Sequence, residues 1–168
     1  MAAPFLRDLY SQYLENVNLS LLDGADVIYV EVVESSQRVK LAAAPGQRLP
    51  AFCTASGKAI LAFLPEDDVK RILERGMPRY TRSTLVSSED FFEDVGRIRE
   101  RGFAMSVEEF EDGINAVAAP ICAQPIASVS IAGPAYRLTR ERMLEVGPHL
   151  VSAAKNISLE VERILSLE

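Results

Sequence analysis

Few residues in this 168-residue chain are placed to do chemistry, and Ser56, Gly57 and Lys58 come first. Gly-Lys is part of the phosphate-loop pattern. Here Phe52 stands where the first glycine belongs, and Ala59 replaces the Ser or Thr that would hold magnesium. Ser152 to Lys155 reads S-x-x-K, but the rest of that catalytic set is absent. His149, the sole histidine, follows Gly147-Pro148 and reads as a surface or packing residue of a helix. Cys53 and Cys122 are far apart, and in a reducing compartment two free, mostly buried thiols are expected. One histidine and two cysteines fall short of a structural zinc set, so no metal and no cofactor is expected. Glu108, Glu109, Glu111 and Asp112 could bind a cation or raise a carboxylate pKa. The plainer reading is a solvated strand end and turn, with one acid turned inward to receive a hydrogen bond.

The stretch from Cys53 to Gly57 is different in kind. Thr54 is a good N-cap, and Ala55, Ser56 and Gly57 fill a first helical turn with small residues. Free amides at a helix start carry partial positive charge and attract carboxylates or phosphates. Small side chains would let a ligand approach that backbone, and the hydroxyls of Thr54 and Ser56 add donors. The same composition also suits a turn packed tightly on a sheet. Residue chemistry alone leaves both readings open.

The surrounding elements must position this stretch. Phe5, Leu6, Leu9, Tyr10, Tyr13, Leu14 and Val17 recur at helical spacing and predict a first amphipathic helix. Strands follow at Asn18 to Leu22, Val27 to Glu34 and Gln37 to Ala44, the first two joined by an Asp23-Gly24 hairpin. Helices are expected from Thr54 to Leu64, from Glu66 to Arg75, and from Ser87 or Ser88 through Arg101 with Gly102 at C′. Strands are read at Phe103 to Glu108, Ala116 to Cys122 and Ile126 to Ala132. A final helix opens at Thr139, with Gly147-Pro148 expected to kink or break it. Grouped rather than alternating elements favour an α+β fold: an antiparallel sheet of about six strands flanked by helices. Residues 1–168 read as one domain.

Composition excludes several function classes. The net charge is −6 and the pI about 5.0, unlike a duplex-binding domain with a basic face. Arg97, Arg99 and Arg101 read as a solvated helix face. No apolar run is long enough to span a bilayer, and the N-terminus does not read as a signal peptide, so a cytoplasmic protein is expected.

Five stretches in order resemble the effector-binding domain of the IclR family of bacterial transcription regulators. RLPAFCTASGKAILAFLP, Arg48 to Pro65, resembles the family signature L-P-x-H-A-T-A-x-G-K-A-x-L-A. Val27 to Val33, Val107 to Ile121, Val129 to Pro134 and Ile157 to Val161 resemble further family segments. The resemblance implies a GAF/PAS-like sensor domain, with a curved antiparallel sheet flanked by helices, and no enzyme. A winged helix-turn-helix domain, which would be the part that contacts operator DNA, is expected outside this chain. It also implies a pocket between sheet and signature helix that binds a small organic acid or aromatic metabolite. Thr54, Ala55, Ser56, Ser106, Ala116, Ser130 and Ala132 would line it, with Leu41 and Leu49 as apolar walls and Arg38 close by. Ala116 stands where many members carry cysteine and Ala132 where many carry serine, so a larger, partly apolar acid is expected. Effector binding would bias the arrangement of sensor domains in a homodimer or homotetramer, and the DNA-binding domains would feel that change. The alternatives are a stand-alone GAF-like sensor, or a small enzyme with Cys53 as nucleophile.

Overall fold

The computed structural model describes residues 2–121 and 126–166; Cys122 lies outside them. Five helices and six strands follow the expected grouping. The chain begins with α1 (Ala3–Tyr13), β1 (Asn16–Asp23), β2 (Asp26–Val33) and β3 (Arg48–Pro50). Three helices come next: α2 (Ala55–Leu61), α3 (Glu66–Leu73) and α4 (Ser88–Arg101). Then come β4 (Ala104–Val107), β5 (Ile114–Ile121), β6 (Ala127–Pro134) and α5 (Arg140–Leu165). The strands form one curled antiparallel sheet in the order β3-β2-β1-β6-β5-β4, two meanders joined by the β1–β6 pair.

Local signals explain most boundaries. Thr54, Ser87 and Thr139 each accept a backbone N–H with their side-chain oxygen at the start of α2, α4 and α5. Gly102 ends α4 at φ 86°, and Gly24 turns the β1–β2 hairpin at φ 63°. Each sheet face carries its own core. Val17, Val117, Val129 and Ile131 pack with α1 and α5 on one side. Val27, Ala104 and Ala118 pack with α2, α3 and α4 on the other. Because both faces are covered, β6 is buried along nearly all its length.

One expectation is corrected and another narrowed. Gln37 to Ala44 is not a strand; the third strand is Arg48–Pro50, where Leu49 pairs with Val27. Side chains satisfy part of the displaced segment's backbone instead. Asn16 Nδ2 donates to Leu41 O at 2.8 Å, Arg137 donates to Val39 O at 2.6 Å, and Gln37 N donates to Ser35 Oγ at 3.1 Å. Of the kink or break expected at Gly147-Pro148, the break is excluded: α5 runs on through it. Pro148 and Leu144 are both exposed, so the hydrogen bond that Pro148 cannot make is lost on the solvent side of the helix. Gly147 lies against Phe103, where a Cβ would sit 2.5 Å from the ring.

Candidate functional site

The candidate site is a hollow between α2 and the sheet. Every residue of α2 is buried, as expected of a helix clamped between a sheet and other helices. Gly57 permits that placement: a Cβ there would lie 2.1 Å from Ala51 O. The sheet face opposite is built from small and polar residues. Ser106, Ala116, Ala132 and Asn16 stand in one row across four strands, and Ala118, Ser130 and Asn18 in the next. Their small size leaves room that larger side chains would fill.

The resulting cavity has a volume of about 80 Å³. Thr54, Ala55 and Ser56 form one wall; Ser106, Ala116, Ser130 and Ala132 form the floor. Leu41 and Leu49 close one side. Arg38 is not among the lining residues. It is exposed, because its segment is irregular chain rather than a strand aimed at the site. Tyr29, Ala42, Gln47, Phe110, Glu111 and Ile114 also line the cavity and were missed. Phe110 stacks edge-on against Tyr80, with centroids 5.0 Å apart. A lone tyrosine within the β-branched run of β2 was the one available signal for Tyr29.

The polar groups divide into engaged and available ones. Thr54 Oγ1 donates to Pro50 O at 2.9 Å and accepts from Gly57 N at 3.2 Å, so it holds the helix start. Ser106 Oγ donates to Cys53 O at 3.4 Å. The Ser56 and Ser130 hydroxyls make no hydrogen bond among the described residues, nor do the amide N–H groups of Ala55 and Ser56. No lining side chain is cationic, and Glu111 brings a negative charge. Burial pushes the Tyr29 phenol up to about 12, so it enters neutral.

Cys53 sits beside the site and is fully buried. Burial, with the Glu109 charge adding to it and Lys58 opposing, pushes its thiol up to about 12. Such a group is a thiol at neutral pH and a poor nucleophile. Lys58 faces away from the cavity. Its Nζ donates to Asp94, Glu109 and Met105 O, each at 2.7 Å. It supports the fold, and Glu109 is the acid of its cluster that turns inward. Among the described residues no group of three or more His, Cys, Asp or Glu is placed to hold a metal. None of their helices is long and apolar enough to cross a membrane.

A curled antiparallel sheet with a buried helix closing a hollow over one face is a GAF-like architecture. The chain belongs to the IclR family: residues 1–159 match the family described as bacterial transcriptional regulator IclR C-terminal. It is 36% identical over 162 residues to the transcriptional repressor IclR of Escherichia coli K12, covering 93% of this chain and 59% of that protein. It is 32% identical to the E. coli K12 repressor AllR, covering 94% and 60% respectively. It thus spans about three fifths of these relatives' length. The IclR protein of Thermotoga maritima superimposes with a TM-score of 0.90 at 34% identity, over 95% of this chain and 66% of that one. A double mutant of the PobR inducer-binding domain from Acinetobacter, solved with 3-hydroxybenzoic acid, gives 0.84 at 26% identity over 94% and 95%.

Proposed function

We propose that this chain is the effector-binding domain of an IclR-type transcription regulator, a non-enzymatic sensor of a small organic acid in the bacterial cytoplasm. The observation that carries the reading is the cavity itself. It combines apolar walls with two unengaged hydroxyls and two unengaged amides on Ala55, Ser56 and Ser130. Apolar lining with a few convergent polar groups is the usual form of a small-molecule site. A carboxylate would be held by those neutral donors, since no lining cation is available. The solved complex of the PobR domain with an aromatic acid supports the same ligand class.

The volume runs against the expectation of a larger acid in this conformation. A cavity of about 150 Å³ holds benzene, and this one measures about 80 Å³. In this conformation a compact acid fits, and a benzoate-sized one requires Leu41 and its neighbours to part. DNA binding belongs to a separate winged-helix domain, and the sensor assembles as a homodimer or homotetramer. Effector binding shifts the arrangement of those sensor domains and so the spacing of the DNA-binding domains.

Thermal unfolding against a panel of short keto, hydroxy and aromatic acids tests the reading. A ligand at about a hundred times its Kd adds about 2.7 kcal/mol, a shift of several degrees for a domain of this size. Ser56→Trp fills the cavity and abolishes the shift. A panel in which no acid moves the midpoint, or a shift that survives Ser56→Trp, refutes the site.

A further inference from the structure

A second, more polar cleft lies behind α2, on the side opposite the effector cavity. Ser56 lines the cavity, and Lys58, two residues on, lines this cleft. Its volume is about 300 Å³. Asp94, Arg97 and Arg101 of α4, Glu109 after β4, and Arg140 at the start of α5 complete its charged lining. Four of those six side chains are cations and two are anions, an excess of two positive charges. That excess stands out on a chain whose net charge is −6.

Internal pairing does not account for it. Lys58 already holds Asp94 and Glu109 at 2.7 Å each. Arg97 reaches Asp94 and Glu93 only at 3.4 and 3.3 Å, beyond a good charge-assisted hydrogen bond. Arg101 commits Nε to Phe103 O at 2.7 Å and lies over the Phe103 ring at 5.1 Å, while its terminal nitrogens make no hydrogen bond or ion pair among the described residues. Arg140 is exposed, and its side chain likewise has none there. Burial holds the Arg101 guanidinium below its usual range; Asp94 opposes this, while Arg140 and Arg97 add to it by repulsion. Like charges gathered round a cleft are relieved by an anion.

We propose that this cleft is a binding site for a multiply charged oxyanion of the phosphate class, distinct from the effector cavity. Guanidinium groups from two helices converge on it, and their planar forks match the several acceptors of a phosphate. Lys58, with its three acceptors, fixes the floor of the cleft.

The test is calorimetric titration of the whole chain with inorganic phosphate at constant ionic strength, chloride being the replaced anion. Saturable one-site binding is expected. Arg140→Gln, which breaks no hydrogen bond of the fold, weakens it about tenfold or more, as does Arg101→Gln. Arg163→Gln, on the far end of α5, leaves it unchanged. Far-UV circular dichroism checks that each variant keeps its fold, and Arg140→Gln decides the matter should Arg101→Gln unfold. Heat that never saturates, or equal binding by the Arg140 and Arg163 variants, overturns the site. Citrate binding as tightly as phosphate overturns the phosphate class.

Discussion

Replacing Lys58 by Met removes one ammonium and keeps the apolar stem. The side chains involved are nearly dry: Lys58 is 1% exposed, Asp94 11% and Glu109 9%. Breaking a buried ion pair by removing one partner costs roughly 3–5 kcal/mol. Here two carboxylates lose the same cation and face each other within about 5 Å, where like charges repel strongly. The upper end of that range is therefore expected near neutral pH. The pH dependence is the sharper part. Burial raises Asp94, but the charge and hydrogen bond of Lys58, aided by Arg97 and Arg101, outweigh it and hold the carboxyl below its usual range. For Glu109 burial wins over the same lysine, with the Asp94 charge adding, and its carboxyl lies above the usual range. The two acids share one nitrogen yet shift oppositely, because Glu109 is the more deeply enclosed and Arg97 pairs with Asp94 but not with Glu109. A lowered acid contributes stability that is present above its unfolded pKa and lost as pH falls through its folded value. A raised acid contributes stability that is present at low pH and lost as pH rises through its folded value. Without Lys58 both acids take the raised behaviour. The variant therefore recovers stability between about pH 7.5 and 5, more than the wild type does. Urea unfolding followed by circular dichroism at both pH values measures it, with the slope checked for constancy. A cost below about 1 kcal/mol at both values, or one that grows on acidification, refutes the argument.

Gly57→Ala destabilises by at least about 2 kcal/mol, since its Cβ would meet the Ala51 backbone at 2.1 Å; denaturant midpoints check this. Cys53, read on a Cys122→Ser background, reacts with a disulfide reagent at pH 8 only as fast as the chain opens, and at once in denaturant; rapid native labelling contradicts the protonated, buried thiol. Asn16→Ala costs about 1–3 kcal/mol, because Asn16 bonds Leu41 O and Ser35 N. Asn18→Leu, by contrast, is neutral or stabilising in the same unfolding assay, since both polar atoms of the Asn18 carboxamide are buried without a partner among the described residues.

Signals that act within a few residues were legible. Thr54, Thr139, Gly102 and Asp23-Gly24 mark their boundaries because a cap or turn needs only neighbours. The partners of Lys58 were not legible, since its two carboxylates lie 36 and 51 residues away. The segment from Gln37 to Ala44 misled because its backbone acceptors find Asn16 and Arg137, contacts that no local pattern announces. Arg38 inherited that error.

The cavity shows the same divide within a single strand pair. Its small residues could be read as an absence of bulk, but its aromatic wall depends on register. Strands β1 and β2 pair Leu19 with Glu31 and then Ser20 with Tyr29, so Val30 is passed over at a bulge. With unbroken pairing Ser20 would face Val30, and Tyr29 would lie opposite Leu21, on the other side of the sheet. A slip of one residue reverses every side chain beyond it. The bulge therefore turns Tyr29 onto the face it shares with Ser20 and toward the hollow, and leaves Val30 37% exposed. Nothing in the run from Asp26 to Val33 marks that one-residue shift. The wall it creates is set by the pairing of two strands, not by the sequence of either.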